Sequence, residues 1–169
     1  HNQIKILNLE EGFPKVAIKK IIADDKGIIW IATAGEGIYY YQNKKLYNVN
    51  TDDGLSDNYV YDIVYSAYAG IIAATDRGLN VVDLQKGKKL IKKFTSKDGL
   101  PDNIVRCLFN ATETSLWFGM QDAGIASAST GFEMYDHTAD WKGGQVNDIV
   151  TTTTQVFVAT EDEGLYIYE

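Results

Sequence analysis

The sequence predicts an all-β chain, a β-propeller of four blade repeats of about 42 residues, each a four-stranded antiparallel sheet. Three observations carry this. One pattern is written four times, in the stretches 25–41, 70–82, 115–125 and 156–168. Its fullest form is a glycine turn, an apolar run, a small residue with Thr, a second turn and a run ending in aromatics. Trp30, Ile72, Trp117 and Phe157 hold equivalent places in it, separated by 42, 45 and 40 residues. A period in the forties with several short strands per repeat marks propeller blades. The second observation is a recurring loop between repeats, Asp53-Gly54-Leu55-Ser56-Asp57-Asn58 and Asp98-Gly99-Leu100-Pro101-Asp102-Asn103. The third is composition, since eleven Tyr and three Trp favour strands over helices.

Each element follows from alternation bounded by turn residues. Blade 1 takes strands 16–22, 28–33, 37–41 and 46–50. Blade 2 takes 59–65, 70–75, 78–83 and 89–95. Blade 3 takes 104–109, 115–120, 124–127 and 131–135. Blade 4 takes 146–152, 155–160 and 164–168, where the sequence stops one strand short. The stretch 3–8 alternates in the phase of an outer strand and is expected to complete blade 4. The blades, approximately 16–50, 59–95, 104–136 and 146–168 with 3–8, then make one domain over 1–169. The expected arrangement is a self-completed ring, because closure removes exposed sheet edges. The alternative is a piece of a larger ring, with two apolar blade faces left open for assembly.

In the loops, glycine provides a turn with positive φ. The following Leu55 or Leu100 plugs the space between blades, and Asp or Asn accepts backbone hydrogen bonds. Glu11-Gly12-Phe13-Pro14 is a reduced version, and the fourth, Asp140 to Gln145, keeps only its glycines.

Composition narrows function. The net charge of −7 argues against nucleic acid as a partner. No apolar run is long enough for a transmembrane helix, so no membrane contact by this region is expected. A single Cys107, in an apolar run, gives no internal disulfide and reads as a small core residue.

The pieces Asp25-x-x-x-x-Trp30-Ile31-Ala32-Thr33 and Gly37-Ile38-Tyr39, with Asp53-Gly54-Leu55 and Asp98-Gly99-Leu100 between repeats, resemble the two-component regulator propeller repeat. The resemblance covers essentially the whole chain. It implies a non-enzymatic, periplasmic sensing or ligand- or partner-binding region of a membrane-anchored bacterial histidine kinase, with a carbohydrate among the ligands such sensors meet. The repeats here number four, where rings of that family are generally larger. Separately, Ala23 to Trp30 resembles the Asp-box hairpin of sialidases, a structural turn remote from catalysis.

The loops entering the first strand of each blade and those between second and third strands share one face in a propeller. That face collects carboxylates, with few cations: Lys15, Arg77, Lys97 and Lys142. The opposite face receives Lys26, Lys44, Lys45, Lys86, Lys88 and Lys89. An acidic cup for a neutral or cationic ligand is the sharper reading, against plain solvated turns. Its candidate ligand-binding residues are Glu36, Asp57, Asn58, Asp76, Arg77, Asp102, Asn103, Gln121, Asp122, Trp141 and Asp162, with Tyr59 beside them. A sugar would stack on Trp141 and hydrogen-bond to carboxylates and to Asn58 or Asn103. Enzyme signals are poor: the histidines are His1 and His137, and no catalytic residue is assigned. The Asp52, Asp53, Asp57 loop lacks a bidentate Glu for calcium and fits a turn. No metal or cofactor is expected. Three functions are weighed: a sensor, with a homodimer among its partners; a protein scaffold without small ligand; and a propeller lyase or glycosidase.

Overall fold

The computed structural model describes residues 12–85, 88–112, 114–129, 131–137, 139 and 141–168. These form four antiparallel sheets whose strands pair in chain order. Blade 1 contains β1 (Ile18–Ala23), β2 (Ile29–Thr33), β3 (Ile38–Gln42) and β4 (Lys45–Val49). Blade 2 contains β5 (Val60–Ser66), β6 (Gly70–Thr75), β7 (Gly78–Gln85) and β8 (Lys88–Phe94). Blade 3 contains β9 (Val105–Thr112), β10 (Ser115–Met120), β11 (Ile125–Ser129) and β12 (Met134–Asp136). Blade 4 contains β13 (Val146–Thr151), β14 (Val156–Thr160) and β15 (Leu165–Tyr168). The strand expected over residues 3–8 lies outside the described residues.

The expected strand over 131–135 is shorter than its sequence suggests. Phe132 has φ +58 and donates its N–H to Ser129 O at 2.9 Å, so the chain is still turning there. The Phe132 ring is held by stacking on Phe94 at 4.5 Å.

Alternation gives every sheet two apolar faces, and successive sheets pack face to face. Trp30, Ala32, Ile38 and Tyr40 of blade 1 meet Ile63, Ile71, Ala73 and Val82 of blade 2. Ile72, Ala74, Leu79 and Val81 on the other face of blade 2 meet Leu108, Leu116, Phe118 and Ala126 of blade 3. Cys107 and Ile125 of blade 3 meet Val146, Ile149 and Val158 of blade 4. Cys107 is buried, which pushes its thiol up to about 12 and makes it an inert packing group.

The loop plugs sit where the sequence puts them. Leu55 is buried in the first interface and Leu100 in the second. Each follows a short 3-10 turn closed by a reciprocal cap, Asn50 with Asp53 and Thr95 with Asp98. Asn58 and Asn103 each accept one more loop N–H, from Thr51 at 2.9 Å and Ser96 at 2.8 Å. Phe13 is buried against Tyr39, at 5.0 Å between rings, on the far side of blade 1. The Asp-box-like turn is structural, and Asp24 rather than Asp25 holds it. Asp24 accepts from the N–H groups of Lys26 and Ile28, both at 2.9 Å, and from Trp30 Nε1 at 3.0 Å.

The first strands of successive blades are neighbours, β1 with β5, β5 with β9 and β9 with β13. Among the described residues no comparable packing joins β13 back to β1. Among the described residues the four sheets form an arc with one open face at each end.

Candidate functional site

Two loop sets meet on one side of the arc, which fixes the acidic rim. Gly35 and Gly37 donate to Asn58 O, Gly78 to Asn103 O, Gln121 to Ile104 O and Glu161 to Gln145 O. A threonine shapes the turn after the second strand in three blades. The hydroxyls of Thr33, Thr75 and Thr160 donate to the carbonyls of Gly37, Gly78 and Gly164 at 2.7, 2.8 and 2.9 Å.

Several predicted residues come together there and are tied to the turns. Asp57 accepts from Tyr59 N–H at 2.8 Å and pairs with exposed Arg77 at 3.3 Å. Asp102 accepts from the N–H groups of Ile104 and Asp122, at 3.2 and 3.3 Å. Asn58 and Asn103 spend their carbonyl oxygens on the loop caps described above. Glu36 is exposed; its N–H donates to Thr33 Oγ1 and its carbonyl accepts from Asn48 Nδ2. Gln121 and Asp122 sit on the third blade's rim, and Asp162 is exposed on the fourth. Trp141 lies lower than a stacking platform would. Its ring packs between Gly124 and Gly143, where an added Cβ would come within 2.5 and 2.7 Å of it, and tilts onto Tyr166 at 5.0 Å. It is the plug of the third interface, and its buried Nε1 has no hydrogen-bond partner among the described residues. Lys89, assigned to the opposite face, reaches Asp53 at 2.7 Å and Asn48 O at 2.6 Å, because β8 lies across the edge of blade 1.

A second group was not foreseen. Each first strand breaks register near its start, between Ile18 and Lys20, Val60 and Asp62, Val105 and Cys107, and Val146 and Asp148; β9 breaks again between Asn110 and Thr112. The extra residue of each bulge near the start, Lys19, Tyr61, Arg106 and Asn147, is turned out of the alternation. These residues form a row beneath the rim loops. Arg106 lies over the Tyr61 ring at 4.1 Å, and Lys19 over the Tyr59 ring at 5.6 Å. Tyr59 and Tyr61 are 4.6 Å apart. Tyr61 donates to Asp76 at 2.6 Å, and burial together with that carboxylate pushes its phenol up to about 12. Asn147 donates to Glu161 at 2.8 Å. The sequence signal was a long polar residue directly after the first aliphatic of each repeat. The row offers aromatic faces, a guanidinium and carboxylates within one short span.

Elsewhere, Ser127 Oγ and His137 Nε2 are 3.1 Å apart, and the imidazole stacks on Trp117 at 4.8 Å. Ser127 is buried in β11. His137 and Trp117 line a cavity of about 940 Å³ that opens between blades 3 and 4 away from the acidic rim.

The blade order, the face-to-face sheets and the inner row of first strands decide the architecture. The fold is a β-propeller. No family model matches the sequence, and no curated protein matches it. Solved structures match the fold. A chain described as the extracellular domain of a hybrid two component system, BT3049 from B. thetaiotaomicron, superposes with TM-score 0.73 at 20% identity over 90% of this chain. This chain spans 22% of that one. The computationally designed protein Ika4 gives TM-score 0.68 at 15% identity, over 91% of both chains. A streptogramin B lyase gives 0.67 at 14% identity, over 93% of this chain and 56% of that one. At such identities the likeness is one of fold. No helix among the described residues is long and apolar enough to cross a membrane.

Proposed function

We propose that this propeller is the extracytoplasmic sensing region of a membrane-anchored two-component regulator, and that its acidic rim binds a carbohydrate. The observation that carries the reading is the bulge row. Tyr59 and Tyr61 give the row an aromatic surface against which Lys19 and Arg106 are held, and Arg106, Asp76 and Asp57 supply the donors and acceptors a sugar's hydroxyls need. Strand residues hold the row, so it is preformed in the way a binding site needs. The repeat resemblance and the fold shared with a two-component extracellular domain support the sensing context. The role is binding rather than turnover. Among the described residues the Ser127–His137 pair lies away from the row, its histidine lining the inter-blade cavity and its serine buried in β11.

Calorimetric titration of the purified chain with a panel of soluble oligosaccharides tests this. Binding should be weakened about tenfold or more by Tyr61→Ala or Arg106→Ala, and left unchanged by Lys45→Gln, exposed on the opposite face. No binding across the panel would favour the scaffold reading, and a cleaved oligosaccharide in the mixture would make the protein an enzyme.

A further inference from the structure

The two ends of the arc are made of residues that the repeat buries everywhere else. On blade 4, Val150 pairs with Phe157, Phe157 with Ile167, and Ala159 with Leu165, so these five side chains share one face. Val150, Leu165 and Ile167 are 51%, 61% and 53% exposed. Phe157 holds the place of Trp30, Ile72 and Trp117, each of which faces the blade that follows. On blade 1, Ile21 pairs with Ile31 and Ile31 with Tyr39, and Ile29 with Tyr41, forming the face that would receive a preceding blade. Ile21 is 56% exposed. Its equivalent in blade 2, Ile63, is fully buried.

The plugs repeat the asymmetry. Leu55, Leu100 and Trp141 each sit between two blades. Phe13 is seated on Tyr39 with no described blade on its other side.

Polar groups fix the direction of the missing joint. Asp62 and Asp148 occupy the same position after the bulge, and each accepts the N–H of the next residue, Ile63 or Ile149, at 2.9 Å. Asp62 has a second acceptor bond, from Leu108 N–H of the following blade at 2.9 Å. Among the described residues no blade packs on the side of Asp148 that corresponds to Leu108. The residue in the Leu108 position on blade 1 is Ile21, and beside it Lys20 offers an ammonium to a carboxylate, as it already does to Asp62 at 3.4 Å.

We propose that a second copy of this chain docks head to tail, blade 4 of each copy against blade 1 of the other, closing a ring of two chains. The second copy fits because it presents the matching apolar face, a seated Phe13 plug and a lysine opposite Asp148. Asp148 accepts from the N–H of the partner's Ile21, as Asp62 accepts from Leu108. Two identical joints of front-to-back type close into a cyclic dimer when the rotation allows.

The test is the solution mass of the purified 169-residue chain by light scattering with sedimentation velocity. The expected species is a dimer, twice the 18.8 kDa chain. A monomer, or an open series of masses, overturns the proposal whatever the carbohydrate titration shows. Leu165→Glu with Ile167→Glu on one face, or Ile21→Glu on the other, should each give a monomer with an unchanged far-ultraviolet spectrum. Mixing the two single-face variants should restore a dimer, because one intact joint remains. If one variant is monomeric while the other still dimerises, one face is joined to itself and the proposal fails; if both still dimerise, neither face forms the joint and the proposal fails as well. Should a variant not fold, the mass of the unaltered chain still decides.

Discussion

The first and third blade interfaces are written by one repeat and finished differently. Trp30 and Trp117 hold the same position on their second strands. Trp30 is 2% exposed, lies 5.0 Å from Tyr40 and gives its indole N–H to Asp24. Leu84 and Ile91, at the outer edge of blade 2, pack against that cluster. Beneath it, only about 190 Å³ of space remains. Trp117 is half-buried, with His137 stacked on it, and it lines the cavity of about 940 Å³. The physical difference is the outer edge of the following blade. Blade 2 carries β7 on to Gln85 and adds β8, whereas β15 ends at Tyr168 among the described residues. A propeller interface is sealed by its outermost strand, and the inner strands alone do not close it.

Removing the two tryptophans should expose that difference at its largest. Trp30→Ala empties a closed site and should cost about 3–5 kcal/mol. Trp117→Ala removes a ring already open to water on one side and should cost about 1–2 kcal/mol. Urea denaturation of the two variants against the parent chain measures both. Equal losses would mean that the third interface is closed in solution, and the account of the outer strand would have to be dropped.

The turn glycines sharpen the comparison at smaller scale. Gly37 and Gly164 hold one repeat position, with φ +76 and +82. A methyl group at Gly37 would run into the Val49 carbonyl, because β4 lies beside it, whereas at Gly164 it would meet nothing within 4 Å. Gly37→Ala combines left-handed strain with overlap and should cost about 2–4 kcal/mol. Gly164→Ala carries the strain alone, about 1 kcal/mol. Thermal or urea midpoints should rank them in that order, and the reverse ranking would overturn this reading of the two turns.

This comparison also explains what the sequence could and could not disclose. Period, strand phase and the Gly-Leu plugs were readable because each depends on a few neighbouring residues. Asp53, Asp57, Asn58 and Asp98 were readable as turn acceptors for the same reason. The bulge row was hidden, because one extra residue in a strand leaves the composition unchanged while turning Tyr61 and Arg106 to a new side. Trp141 looked like a free aromatic on a glycine loop. Only the packed structure brings Gly124 and Gly143 against its ring and makes it the third plug. Asp24 and Asp25 are adjacent in the Asp-box-like stretch, and only the structure shows that Asp24 holds the hairpin. The opening of the arc depends on how side chains from separate blades set the angle between sheets, which no single repeat encodes.

Asp62 carries the smallest and most specific effect. It lies where three blades meet, buried, with two backbone N–H donors and Lys20 around it. Burial nevertheless outweighs those partners and raises its carboxyl above the ordinary 3.8. The folded chain therefore holds this proton more tightly than the unfolded chain does. The contribution is fully present below the ordinary carboxylate range and is lost as pH climbs to the raised value. Asp62→Asn removes the titrating group while leaving one acceptor oxygen, so parent and variant should differ in slope across that interval, with the parent losing stability relative to the variant as pH rises. Urea midpoints taken at several pH values across the carboxylate range measure the difference. A parent that gains stability relative to the variant over the same interval would show that Lys20 and the two N–H groups dominate. Asp62 would then be a net anchor between the blades, and its equivalent Asp148 would bring the same stabilisation to any joint formed at the open end.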